Sequence, residues 1–153
     1  MAVNALFNDP KKQRKYYSGK KKRHTIKAQI IIDTANLKIL KTNFCNGTKH
    51  DFTLLKESRP RIPERIKELA DTGYIGLDKI HKNSEIPKKK TKLRPLTNDE
   101  KKSNRDLSSR RVCVENVLCS IKKFKILSER YRNRRKRFGL RFNLIVGLYN
   151  YEL

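Results

Sequence analysis

From residue 24 onward the chain alternates. His24, Ile26, Ala28, Ile30 and Ile32 fall on one side of an extended backbone, and Thr25, Lys27, Gln29 and Asp33 on the other. That pattern predicts a strand with one buried face. Asp33-Thr34-Ala35-Asn36 carries turn chemistry, and Leu37 to Cys45 predicts a second strand. The two form a hairpin, which Asn46-Gly47 ends. Asp51 is placed to cap a short helix from Phe52 to about Glu57, and Arg59-Pro60-Arg61-Ile62-Pro63 breaks it. Pro63 is suited to open another helix over 64–69, because a first-turn proline forfeits no helical hydrogen bond. Asp71-Thr72-Gly73-Tyr74 follows, delivered by a very short strand over 69–71. Residues 82–96 are basic and punctuated by prolines, as at a strand end and a loop.

Thr97-Asn98-Asp99-Glu100 is a capping box: the hydroxyl accepts from the backbone N–H three residues on, and the glutamate reaches back. It predicts a long helix to about Lys125. After a basic stretch, a last apolar helix covers about 140–151, with Phe142, Ile145 and Tyr149 on one side and Leu144 and Leu148 beside them. Residues 1–21 read as a loose basic arm, and residues 22–153 as the folded part. The chain has no internal repeats. The elements together make an α/β chain.

The composition sharpens this. At 153 residues one domain is expected, with a thin core, since 36% of residues are apolar and 35% charged. Thirty-nine Lys and Arg against 15 Asp and Glu give a net charge of +24, which points to nucleic acid as the partner. No basic amphipathic helix with a large apolar face suggests a membrane surface, and the apolar run 144–149 is too short to span a bilayer. A cytoplasmic protein is expected. The three cysteines, Cys45, Cys113 and Cys119, form no CxxC pair, which fits a reducing compartment and buried, inert thiols. Cys113 and Cys119, six apart, lie on roughly opposite faces of a helix and cannot bridge.

Two acids stand out against this basic background. On a helical wheel Val114, Val117, Leu118, Ile121 and Phe124 form an apolar stripe, and Glu115 lies at its rim, flanked by Arg111 and Lys122. A carboxylate held there by a rigid helix is placed as a metal ligand, or as the partner of an ordinary Arg111–Glu115 ion pair at (i, i+4). Asp71, after a short apolar segment and before a glycine turn, reads as a strand-end ligand or as a turn cap. Together they suit Mg²⁺ or Mn²⁺, hard cations that prefer oxygen. Two such ions would activate a water or 3′-hydroxyl and steady the leaving oxygen of a phosphodiester.

At this point the residues carry a resemblance. Tyr16-Tyr17-Ser18-Gly19-Lys20-Lys21-Lys22-Arg23-His24-Thr25 resembles the entry to the catalytic domain of bacterial DDE-type insertion-sequence transposases, and more narrowly those of the group-five insertion-sequence family. His50-Asp51-Phe52, Ala70-Asp71-Thr72-Gly73-Tyr74-Ile75-Gly76 and Arg111-Val112-Cys113-Val114-Glu115 continue it in order, with Lys122, Phe124 and Ile126-Leu127. Tyr131-Arg132-Asn133-Arg134-Arg135 and Phe138-Gly139-Leu140-Arg141-Phe142-Asn143-Leu144-Ile145 complete it, so that it covers about residues 11–153.

The resemblance implies an RNase H-like mixed sheet flanked by helices, and the C-terminal catalytic part of such a transposase. It makes Asp71 the second catalytic acid and Glu115 the third. The first would lie on an opening strand, which the sequence leads one to expect is missing. Asp9 is the only acid before Lys11 and sits where a linker would be, so it does not substitute. The family's N-terminal DNA-binding helical region is absent from these residues as well. The implied activity is metal-dependent cleavage at transposon ends followed by strand transfer, with no covalent protein–DNA intermediate.

Tyr17, Lys20, Lys21, Lys22, Arg23, Arg111, Lys122, Arg132, Arg134 and Arg135 are the expected DNA contacts, with Tyr16 beside them. A solvated face is the plain alternative for each basic run. Asp51 reads as a cap in preference to a ligand, and His24 and His50 as structural or phosphate-facing. Expected partners are transposon-end and target DNA, a second copy, a full-length transposase or an N-terminal half. The rival function is a catalytically inactive DNA-binding remnant or inhibitor of transposition. A structural RNA binder of the ribosomal type explains the charge but not the ordered motifs.

Overall fold

A computed structural model describes residues 2–4, 16–19, 22–58, 60–91, 94–133 and 135–153. The chain mixes helix and sheet in two compact units, residues 1–49 with 113–153, and residues 50–112.

The first unit is organised by one strand. Strands β1 (Ala2–Asn4), β2 (Tyr17–Ser18), β3 (Arg23–Ile32) and β4 (Ile39–Asn46) form a sheet in which β3 is common to every pairing, all antiparallel. The expected hairpin is β3–β4. Its turn closes through side chains: Asp33 Oδ1 accepts from the Ala35 N–H at 2.9 Å and Asn36 Oδ1 from the Lys38 N–H at 3.0 Å. A short strand stands where the sequence leads one to expect a loose arm. β1 precedes the basic stretch, with Val3 opposite Ile26 and Asn4 opposite Thr25. A second departure concerns Thr25 and Gln29, expected on the solvent face but both buried. The chain turns back at Gly47, where a Cβ would collide with Thr25 Oγ1 and meet the Tyr16 carbonyl oxygen at 2.8 Å. Only glycine allows that approach.

Three helices complete this unit. α2 (Asn98–Lys122) contributes its last part, and α3 (Lys125–Ser128) and α4 (Phe138–Tyr151) follow. The core gathers Ile26, Ala28 and Ile39 from the sheet with Val117, Ile121, Leu127, Phe138 and Phe142. Phe44 meets Phe138 and Phe142 edge-on at 5.5 and 5.1 Å, a geometry aromatic rings favour. Polar side chains of α4 set its register on β4. The Asn150 amide accepts from the Ile39 N–H and donates to the Ile39 carbonyl, both at 2.9 Å. Asn143 Oδ1 accepts from Thr42 Oγ1 at 2.6 Å.

In the second unit, α1 (Asp51–Ser58) begins on Asp51 itself and ends before Pro60, as the sequence indicates. The helix expected over 64–69 is not formed. Residues 63–66 make one turn, and β5 (Glu68–Leu69) then pairs in parallel with β6 (Ser84–Glu85). The reason lies in the carbonyls that a helix would have used. The Asn83 amide donates to those of Glu64 and Arg65, each at 3.3 Å, and His81 Nε2 binds that of Ile66 at 2.7 Å. Leu55, Ala70 and Leu77 form a small core, packed by Phe52, Tyr74 and Ile86. The capping box is present as expected, with Thr97 N to Glu100 Oε2 at 3.1 Å and Glu100 N to Thr97 Oγ1 at 3.2 Å.

Candidate metal and nucleic-acid site

Asp71 stands at the mouth of a short, well-tied turn in the second unit. It caps the 3₁₀ turn Thr72–Tyr74, its Oδ1 accepting from the Thr72 N–H at 2.6 Å and from the Thr72 hydroxyl at 3.2 Å. Arg111 Nη1 lies 3.5 Å from the same oxygen. The turn is delivered by β5 through Ala70, whose N–H donates to the Glu85 carbonyl at 3.0 Å. Beyond it, Gly76 takes the left-handed conformation with φ 94°, and a Cβ there would press on the Phe52 ring at 3.3 Å. Asp71 is thus both the turn cap and an exposed carboxylate. Asp51 borders this turn: its Oδ2 lies 3.8 Å from where a Cβ on Gly73 would sit.

Glu115 belongs to the part of α2 that lies in the first unit. Val117 and Ile121 on that helix are buried, and Glu115 is exposed. The expectation of buried thiols fails at Cys119, which lies one turn beyond Glu115 on the outward flank and is exposed; Cys45 and Cys113 are half-buried. Lys122 closes the helix and is exposed. Within neither unit do three Asp, Glu, His or Cys side chains converge among the described residues.

The first unit also carries cations interleaved with aromatic rings. Arg135 lies over the Tyr16 ring with its guanidinium carbon 4.4 Å from the ring centre. Tyr17, partly exposed, meets His24 edge-on at 5.6 Å. Lys22 and Arg23 lead into β3 and are exposed, as is Arg132. Aromatic faces beside cations suit stacked bases and a phosphate backbone. Lys20, Lys21, Arg134 and Asp9 lie outside the described residues.

Elsewhere, ionised groups serve the scaffold. Burial pushes the Glu68 carboxyl up, partly offset by His81. A hydrogen bond from Lys67 holds Glu85 down, with Arg110 adding to it. The backbone N–H of Thr97 holds Glu100 down, helped by Lys88.

Comparison with known proteins decides the family. The sequence profile described as DDE superfamily endonuclease matches residues 4–150. This chain belongs to the DDE superfamily endonucleases. A relative, the probable transposase for insertion sequence element IS702 from Microchaete diplosiphon, is 48% identical over 145 residues, covering 94% of this chain and 52% of its own length. The chain therefore spans about half the length of the curated relative it matches. No solved structure matches it.

As a member of this superfamily, the chain presents hard carboxylate oxygens, and both candidate acids are exposed where an ion can reach them. On Asp71 the contacts described above all fall on Oδ1. Taken one by one, each of these carboxylates offers the oxygen donors that a divalent ion of the kind DDE endonucleases use prefers. Sequence reasoning missed two things. One is the pairing of Arg111 with Asp71, which no local spacing signals. The other is the stacking of Arg135 on Tyr16, which Tyr-rich and Arg-rich segments far apart in sequence foreshadow only by composition. Among the described residues no helix is long and apolar enough to cross a membrane.

Proposed function

We propose that this chain serves DNA transposition, as part of an insertion-sequence transposase that cleaves phosphodiesters at element ends and joins the freed strand to a target. In this reading the mixed sheet and its helices are RNase H-like, and Asp71 and Glu115 are metal-binding catalytic acids. The observation that carries it is the superfamily match across residues 4–150, which contains both acids in order. Bound Mg²⁺ or Mn²⁺ would supply an activated water or 3′-hydroxyl and neutralise the leaving oxygen. The chain's own contribution is placement. The turn capped by Asp71 and the helix bearing Glu115 fix two carboxylates on rigid elements. Arg111 orients Asp71 or takes a phosphate. Tyr16, Tyr17, Lys22, Arg23, Lys122, Arg132 and Arg135 track the DNA backbone, with Lys20, Lys21 and Arg134 in the same basic runs.

One observation favours a second reading, a DNA-binding chain that does not cut and competes for transposon ends or joins a longer transposase. The resemblance puts the first acid on an opening strand, and β1 ends on Asn4, a neutral amide. DNA binding and cleavage assays separate the two readings. With two acids and an amide, the chain is expected to bind DNA with affinity falling steeply as salt rises, and not to nick it with Mg²⁺ or Mn²⁺. Metal-dependent nicking abolished by Glu115→Gln would overturn the second reading. Binding that ignores salt would overturn both.

A further inference from the structure

Helix α4 is apolar on both sides, and the core uses only one. Phe138, Phe142, Ile145 and Val146 are buried on its inner side. On the outer side Leu140, Leu144, Leu148 and Tyr151 remain 71%, 66%, 46% and 90% exposed. At about 100° per residue these four and Gly147 fall within an arc of about 100°, opposite the core. None carries a charge, in a chain of which 35% is charged. A helix apolar all round is one that is covered on both sides.

The spacing of this face suits a second copy of the same helix. Residues 140, 144, 147 and 151 are separated by four, three and four, the rhythm of a coiled-coil seam. That series reads the same in both directions, so two copies laid antiparallel about a two-fold axis present each other with the same sequence of contacts. Leu140 then faces Tyr151 of the second copy, and Leu144 faces its Gly147 and Leu148. Gly147 has no heavy atom within 4 Å of where a Cβ would sit, which leaves room for close approach at the centre. At about 150–200 Å² per large side chain, these exposures amount to roughly 500 Å² per copy. Two copies bury about 1,000 Å², near the lower limit for a specific pairing.

We infer that α4 is a self-complementary docking face, through which two copies of this chain pair antiparallel. The interface is small and each copy carries +24 charges, so the dimer is weak and repulsion opposes it. Added salt screens that repulsion and strengthens the dimer, while the same salt weakens binding to DNA.

Sedimentation equilibrium of the whole chain tests this at low and high salt. The expected result is a monomer–dimer equilibrium with a dissociation constant of about micromolar, tighter at high salt. Leu144→Glu and Leu140→Glu alter exposed positions and should each weaken it at least about tenfold without changing the melting curve. Ile80→Glu, at a residue 56% exposed in the other unit, should leave it intact. A wild type monomeric at every concentration in high salt would overturn the inference. So would open-ended association without a dimer plateau, or dimers indifferent to both α4 substitutions.

Discussion

Arg111 reaches across its unit to place Nη1 3.5 Å from Asp71 Oδ1. The side chain of Asp71 is 56% exposed, so the pair adds little to stability, about 0–1 kcal/mol. What it does is hold the carboxylate in one orientation while keeping a cation beside it. Arg111→Ala should therefore leave the melting temperature almost unchanged and weaken binding to DNA. Parallel melting and DNA-binding titrations check this. A large drop in melting temperature with unchanged DNA affinity would make Arg111 a purely structural residue.

The capping box predicts a pH signature. Glu100 accepts from the Thr97 N–H and from Lys88, which lowers its carboxyl below the ordinary 4.5. A carboxyl lowered in the folded state stabilises above its unfolded value and loses that contribution as pH falls through the folded one. The stability difference between wild type and Glu100→Gln should be complete at neutral pH and shrink once pH drops below about 4.5. Thr97→Ala, which removes the other half of the box, should cost about 1 kcal/mol. Urea melts at several pH values measure both.

Within the first unit, Phe142 is fully buried and packs on Phe44 and Phe138. Phe142→Ala should cost about 3–5 kcal/mol through lost burial and the cavity left behind. Asn150→Leu should cost about 1–3 kcal/mol, because the Ile39 N–H and carbonyl lose their partner. Denaturant titration of each variant gives the figures. A near-neutral Asn150→Leu would mean that the α4 register rests on apolar packing alone.

The strand β1 ends on Asn4, opposite Thr25. If the opening strand is where a first acid belongs, Asn4→Asp should confer Mn²⁺-dependent nicking on supercoiled DNA, and adding Glu115→Gln should remove it. A nicking assay with the single and double variants decides. An Asn4→Asp chain as inert as the wild type would detach β1 from the catalytic role.

Much of this was legible in the sequence where the partners are close neighbours. The capping box joins residues three apart, and the hairpin turn uses residues two apart, so local sequence is enough to predict both. The failures are long-range. Pro63 is a sound helix opener locally, but Asn83 and His81 take the carbonyls that a helix over 64–69 would need. Arg111 has a carboxylate one helical turn away in sequence, yet the partner it is given is Asp71. Thr25 looked solvent-facing because nothing near it in sequence reveals that Gly47 folds back against it. The two candidate acids were found by their setting and by the ordered motifs, and their exposure on tied elements came only with the fold.

The central proposal is that Asp71 and Glu115 are each metal-binding acids. Titration with Mn²⁺, followed by electron paramagnetic resonance of the free ion, tests it without requiring activity. Asp71→Asn and Glu115→Gln should each weaken Mn²⁺ binding at least about tenfold, the scale on which even residues supporting a metal site act. Circular dichroism should be unchanged throughout. Wild-type affinity in either single variant would contradict the claim.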